Sequence, residues 1–220
     1  MYESNSKLIK QICIQLFIFL VSIGFGLPLP LIATQLLFVN LVESGLPDLA
    51  LTTEEDSYGI MNEKPRNPNE SVVNKQSIKW MIASFAISGG IAIIFYYFTL
   101  QTTGDLDKTR TMVMTLLCLE ALFLSLSLRS FKKRILRKDI FDNRWLTGAI
   151  VISLGMVLVA VYVEPFRNLL SLTTLSFSEW SVILLANICE IILIDAFKLR
   201  FLSTKEKISH QKTTQLAIGV

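Results

Sequence analysis

GLPLPLIATQLLFVNLVESGLPDLAL, residues 26–51, joins a proline-rich break to an apolar run long enough to cross a bilayer. A spanning helix needs roughly 20 mostly apolar residues, within ~17–25. The break at Gly26–Pro30 closes one such run, about 9–25, and opens the next, about 31–51. Inside the second run, Asn40, Glu43 and Ser44 are spaced i, i+3 and i+4, which puts three oxygen-bearing side chains on one helix face. Gly45 and Pro47 follow at once. Proline removes one backbone hydrogen bond and blocks another, so the spacing predicts a helix locally unwound near Gly45–Pro47. Backbone freed at membrane depth is tolerated only where it is buried or lines a cavity. Broken helices of this kind coordinate ions in transporters, and a carboxylate beside amides and carbonyls suits a hard cation such as Ca²⁺. The alternative is a polar contact between helices.

Working outward, four further runs qualify as spans, at about 78–100, 112–128, 145–163 and 180–197. The chain therefore reads as an all-α membrane protein, a bundle of six transmembrane helices over residues 1–202 with a polar tail at 203–220. Composition agrees: of 220 residues, 52% are hydrophobic and 18% charged, where soluble domains run near ~45–50% and ~25%. With both termini on one side, every Lys and Arg except Lys108, Arg110 and Arg167 falls on that side or at its edge. The positive-inside rule then makes both termini cytoplasmic. The densest basic run, Arg129–Arg144, is a topology determinant, with anionic lipid headgroups or a docking surface as its other uses. A net charge of +3 gives no argument for nucleic acid.

An ionisable group at the centre of a spanning helix costs at least ~2.5–3.5 kcal/mol, which makes it a candidate functional residue. Besides Asn40, Glu43 and Ser44, the spans hold Gln15, Gln35, Asp48, Glu120, Asn187, Glu190 and Asp195. Glu120 is evenly balanced between ion ligand and structural hydrogen-bonder. Asn187 and Glu190 share a face and read as packing groups; Asp195, three residues before Lys198, reads as a local ion pair. Cys13, Cys118 and Cys189 are too dispersed for a disulfide framework or a zinc site, and His210 is the only histidine.

The stretch from Gly26 to Leu51 resembles the joined fifth and sixth membrane helices of cation-transporting P-type ATPases, nearest the calcium-pump type. Their pattern there is roughly G-L-P…Q-L-L-W-V-N-L-V-T-D-G-L-P-A. GIMNEKPRNPNE (59–70) is similar to the Met…Pro-Pro-Arg-x-Pro segment that follows the sixth helix. Val161-Tyr162-Val163-Glu164-Pro165-Phe166 resembles the close of the ninth helix, and Leu175-Ser176…Trp180 the opening of the tenth. The likeness covers nearly the whole chain, in order.

The resemblance implies an ion pathway in which Asn40 matches the sixth-helix asparagine ligand, and Glu43 and Ser44 stand at the Thr-Asp pair. Gln15 falls near the fifth-helix glutamate and Glu120 near the eighth-helix acidic ligand. Ser44 thus replaces an aspartate, with Glu43 restoring a carboxylate beside it, and Gln15 is neutral. Calcium, another cation, a changed stoichiometry or a lost site all stay open. The family's D-K-T-G aspartate does not occur: Asp107-Lys108-Thr109 is followed by Arg110. The implied role is the C-terminal membrane domain of a pump, not an ATPase on its own, with ATP and Mg²⁺ acting only through other domains. Its partner is then the N-terminal portion of the pump (first four helices and cytoplasmic domains), in cis or as a separate chain, alongside membrane lipids. A fragment, a truncated product and a separately encoded half are equally compatible. The alternative is a non-catalytic remnant engaging lipids or partner helices through Lys132–Arg134. A small independent transporter is disfavoured because the two halves show no internal repeat.

Overall fold

The Gly-Leu-Pro break is a helix stop with identifiable chemistry. The first helix, α1 (Tyr2–Gly24), ends with Leu27 N–H bonded to Ser22 C=O at 2.8 Å and Gly26 N–H to Ile23 C=O at 3.1 Å. These two bonds make a Schellman cap, which needs a left-handed residue at Gly26, whose φ is +65°. The computed structural model describes residues 2–45, Pro47, Ala50, 75–129 and 144–196. Asp48, the 59–70 segment, most of the Arg129–Arg144 run including Lys132–Arg134, and the tail 203–220 lie outside the described residues.

Among the described residues the chain is helical, without strands. After α1 come α2 (Ala33–Ser44), α3 (Lys75–Thr103), α4 (Leu106–Arg129), α5 (Arg144–Tyr162) and the short α6 (Glu164–Leu169). A last helix, α7, is described over Phe177–Ala196. Local chemistry sets several boundaries. Gly104, at φ +63°, closes α3, and Asp105 then caps α4 by accepting from the backbone N–H of Asp107 and Lys108 at 2.9 and 3.2 Å. Pro165 sits in the first turn of α6, where its missing N–H costs nothing. Ser176 and Glu179 supply half of a capping box for α7: the Glu179 carboxylate accepts the Ser176 N–H at 2.7 Å. Helix α2 stops at Ser44, and Gly45 leaves helical geometry with ψ −109°.

Helix α4 is the centre of the bundle. It touches α1, α2, α3 and α5, and residues 111–122 are all buried. Its hydroxyls are satisfied within the helix: Thr111, Thr115 and Ser125 each donate to the carbonyl four residues back at 2.8 Å. Gln35, fully buried on α2, accepts from Ile32 N–H and donates to the carbonyls of Leu170 (3.0 Å) and Ser171 (3.4 Å). Tyr96 donates to Pro28 C=O, so the breaks after α1 and α6 are both pinned to neighbouring helices.

Among the described residues, three helices are long and apolar enough to cross a membrane, Ile82–Thr103, Trp145–Tyr162 and Phe177–Ala196, with shorter apolar stretches at Ile9–Gly24 and Ala33–Glu43. Their outward faces carry exposed Leu16, Leu20, Leu37, Ile94, Val151 and Leu185. An apolar exterior of this kind belongs against lipid or other helices.

Helices α1 and α3 pack closely where Gly89 faces Phe17, whose ring meets Phe85 edge-on at 5.5 Å between centroids. A Cβ on Gly89 would lie 3.0 Å from Phe17 Cδ1, whereas one on Gly90 would meet nothing within 4 Å. Gly89→Leu is therefore expected to lower stability by about 1–3 kcal/mol through overpacking. Gly90→Ala is expected to raise it by about 0.5–1 kcal/mol. Thermal unfolding of the two variants in detergent checks the contrast.

Candidate cation site

Buried residues of α1 recur at Lys10, Gln11, Ile14, Gln15, Ile18 and Ser22, one stripe at helical spacing that is more polar than apolar. Gln15 turns this stripe towards α2. Its amide Nε2 donates to Glu43 Oε2 at 3.0 Å and faces Asn40 Oδ1 at 3.4 Å. Glu43 is 3% exposed; Asn40 is partly buried. Three of the expected residues thus meet at one point between α1 and α2. Ser44 is the last residue of α2, and nothing is described of its side chain.

Glu120 is in a different group. Its Oε1 lies 3.3 Å from the ammonium of Lys10, with both side chains almost wholly buried. The same ammonium stands 3.9 Å from Glu190 Oε1 on α7, and that carboxylate accepts from the Ser88 hydroxyl of α3. Lys10 and Gln15 are five residues apart on α1, a rise of about 7.5 Å along the axis. The bundle interior therefore holds two polar groups at different depths.

Lys10 and Glu190 were not among the expected site residues. Lys10 stands at the edge of the 9–25 run, but α1 begins at Tyr2 and carries it into the bundle. The signal that would have found it is the spacing of Lys10, Gln11 and Gln15. On α7 the buried residues are Ile183, Asn187, Glu190 and Ile194, a narrow stripe with spacings of four, three and four. That stripe turns a pair read as packing groups towards Glu120 and Lys10.

The sequence pattern of the family described as "Cation transporting ATPase, C-terminus" matches residues 28–200. The chain belongs to that family. Relatives of this cation-transporting ATPase domain include a "Calcium-transporting ATPase" of Bacillus subtilis (strain 168), 27% identical over 189 residues, covering 83% of this chain and 21% of the relative. "Calcium-transporting ATPase 3, endoplasmic reticulum-type" of Arabidopsis thaliana is 27% identical over 234 residues, 92% of this chain and 22% of the relative. "Calcium-transporting ATPase 1" of Bacillus cereus (strain ATCC 10987 / NRS 248) is 26% identical over 194 residues, 81% and 22%. The chain spans about a fifth of the length of the relatives it matches. The family match places it with the C-terminal regions of cation-transporting ATPases.

In this cation-transporting ATPase domain, Gln15 also ties α1 to α2. Gln15→Leu removes a buried hydrogen bond to a carboxylate and a second, longer one to an amide. The expected cost is about 1.5–3 kcal/mol, read as a lower unfolding midpoint in detergent.

Proposed function

We propose that this domain supplies part of the cation pathway of a pump, with Asn40 and Glu43 as ligands, Gln15 as the α1 ligand, and Ser44 and Glu120 as further oxygens along the route. The observation that carries this is the meeting of Gln15, Asn40 and Glu43 beside a broken helix. The Gln15 amide nitrogen stands between two oxygens, the place a bridging cation would take. Turning that amide over by half a rotation exchanges its nitrogen for its oxygen and presents an amide oxygen with those of Asn40 and Glu43. Carbonyls released where α2 breaks at Gly45 complete a shell of the kind hard cations need. The Cβ of any residue replacing Gly45 would lie 2.4 Å from Leu41 C=O, which supports glycine as the hinge of that break.

The cation is Ca²⁺ on this reading, by analogy with the names of the relatives. The energy comes from ATP and Mg²⁺ acting on the N-terminal portion of the pump, in cis or on a separate chain. The domain crosses the membrane six times in contact with lipid, with both termini cytoplasmic.

The test is co-expression with the N-terminal portion of a calcium-transporting relative, followed by ion-dependent phosphorylation. Asn40→Ala and Glu43→Ala are each expected to weaken the ion dependence by about tenfold or more, and Gln15→Glu to strengthen Ca²⁺ dependence. Unchanged ion dependence in both alanine variants would sink the assignment. Topology is checked separately. In a background with Cys13, Cys118 and Cys189 replaced by Ala, Ser203→Cys is expected to react with an impermeant maleimide from the cytoplasmic side and Asp107→Cys from the other.

A further inference from the structure

The connection between α5 and α7 is tied down along its length, although no residue within α6 is buried. Gln35 of α2 donates to the carbonyls of Leu170 and Ser171. Thr173 N–H donates to the Thr111 hydroxyl at 3.0 Å, and Leu170, Leu172 and Leu175 are buried. The Tyr162 hydroxyl donates to Leu175 C=O at 2.9 Å and accepts from the indole N–H of Trp180 at 2.8 Å. The end of α5 is thereby joined to the start of α7.

These contacts set the level of the connection. The span Trp145–Tyr162 has 18 residues, a rise of about 27 Å, against a hydrocarbon core of about 30 Å. The chain therefore leaves the bilayer at the end of α5 and re-enters it along α7 at the same surface. A bonded Tyr and Trp suit that level, since amphipathic rings gather among the headgroups.

Helix α6 carries two unlike edges. At 3.6 residues per turn, Phe166 and Leu169 lie about 60° apart on one edge, and Glu164 and Asn168 lie about 40° apart on the opposite edge. All four are exposed. Half-buried Arg167 and then buried Leu170 mark the side against the bundle, between these edges. The apolar edge continues a longer stripe: Val159, Tyr162, Val163, Phe166 and Leu169 are 41–68% exposed and run from the outward face of α5 onto α6. Phe177, where α7 begins, is 90% exposed.

We propose that α6 and Phe177 form a foot seated in the boundary between lipid headgroups and acyl chains. Phe166, Leu169 and Phe177 enter the apolar layer, while Glu164 and Asn168 face water. A helix with opposed apolar and polar edges lies in the plane of such a boundary, and here the apolar edge is continuous with the outward face of a spanning helix. The partner is the leaflet that this connection meets. The inference rests on the chain crossing the membrane, and not on the cation pathway or on which side the termini lie.

The experiment uses the full 220-residue chain, one per nanodisc of phosphatidylcholine and phosphatidylglycerol, with Cys13, Cys118 and Cys189 replaced by Ala. Glu164→Cys, Phe166→Cys, Asn168→Cys, Leu169→Cys and Phe177→Cys, each made singly, carry a nitroxide label. Power-saturation EPR then reads its accessibility to oxygen, which partitions into acyl chains, and to a water-soluble nickel chelate. Oxygen is expected to be favoured at positions 166, 169 and 177, with those labels about 5–10 Å into the boundary. The chelate is expected to be favoured at 164 and 168, so that the preference reverses between neighbouring positions. Circular dichroism identifies any variant that fails to fold, and either pair, 164 with 166 or 168 with 169, carries the comparison if the other is lost. The proposal is overturned if the chelate is favoured at any of 166, 169 and 177, which would stand the foot in water. It is also overturned if both reagents are excluded there, or if the oxygen preference appears only in discs holding two chains, which would make a second copy the partner.

Discussion

Glu120 lies on the helix that α1, α2, α3 and α5 all touch, and its carboxylate meets the Lys10 ammonium at 3.3 Å. A lone charge at that depth would be expelled or neutralised, and breaking a buried pair by removing one partner costs about 3–5 kcal/mol. The contact therefore constrains more than two residues. Lys10 comes from α1, Glu190 from α7 and Ser88 from α3, so one electrostatic requirement fixes the rotation of four helices about their axes. Apolar packing alone would not. In lipid the exterior is as oily as the core, and specificity comes from close packing, as at Gly89, and from polar contacts between helices.

The same constraint explains which parts of the fold the sequence makes legible. Helices that face lipid announce themselves by hydropathy, as 78–100 does. Helix α4 is the weakest span on that measure because it faces other helices, and its Thr109, Thr111, Thr115, Glu120 and Ser125 are buried with it. Low hydropathy there reports a central position, since a polar side chain is cheap where a carbonyl or a counter-charge meets it. The punctuation is legible for a different reason. Gly26, Asp105, Pro165, and Ser176 with Glu179 act through the backbone within a few residues, so local sequence suffices.

Contacts between distant segments are another matter. Gln35 and Gln15 are alike as residues in spans, but one ties α2 to the turn after α6 and the other faces Glu43 and Asn40. Nothing within either helix distinguishes them. For Lys10 the difficulty was its place at the edge of the 9–25 run, where a lysine reads as a charge at the membrane surface, whereas the helix starts at Tyr2, about two turns earlier. The stripes on α1 and α7 were written in the sequence, but their meaning depends on which helix faces them, and that is a property of the assembled bundle.

The two polar groups also show how such a domain can adjust its charge without losing its oxygens. An amide at Gln15 offers an oxygen where a carboxylate would, with one negative charge fewer. A lysine at position 10 cancels a charge that Glu120 or Glu190 brings and keeps both carboxylates in place. Both changes act on α1, and both lower the positive charge that the interior can hold. Coulomb energy in a medium of low dielectric makes each unit of charge decisive, with about 4 kcal/mol between unit charges 4 Å apart even at an effective dielectric of 20. On the proposed cation pathway, the fixed charges that α1 brings therefore bear on ion preference alongside the oxygens.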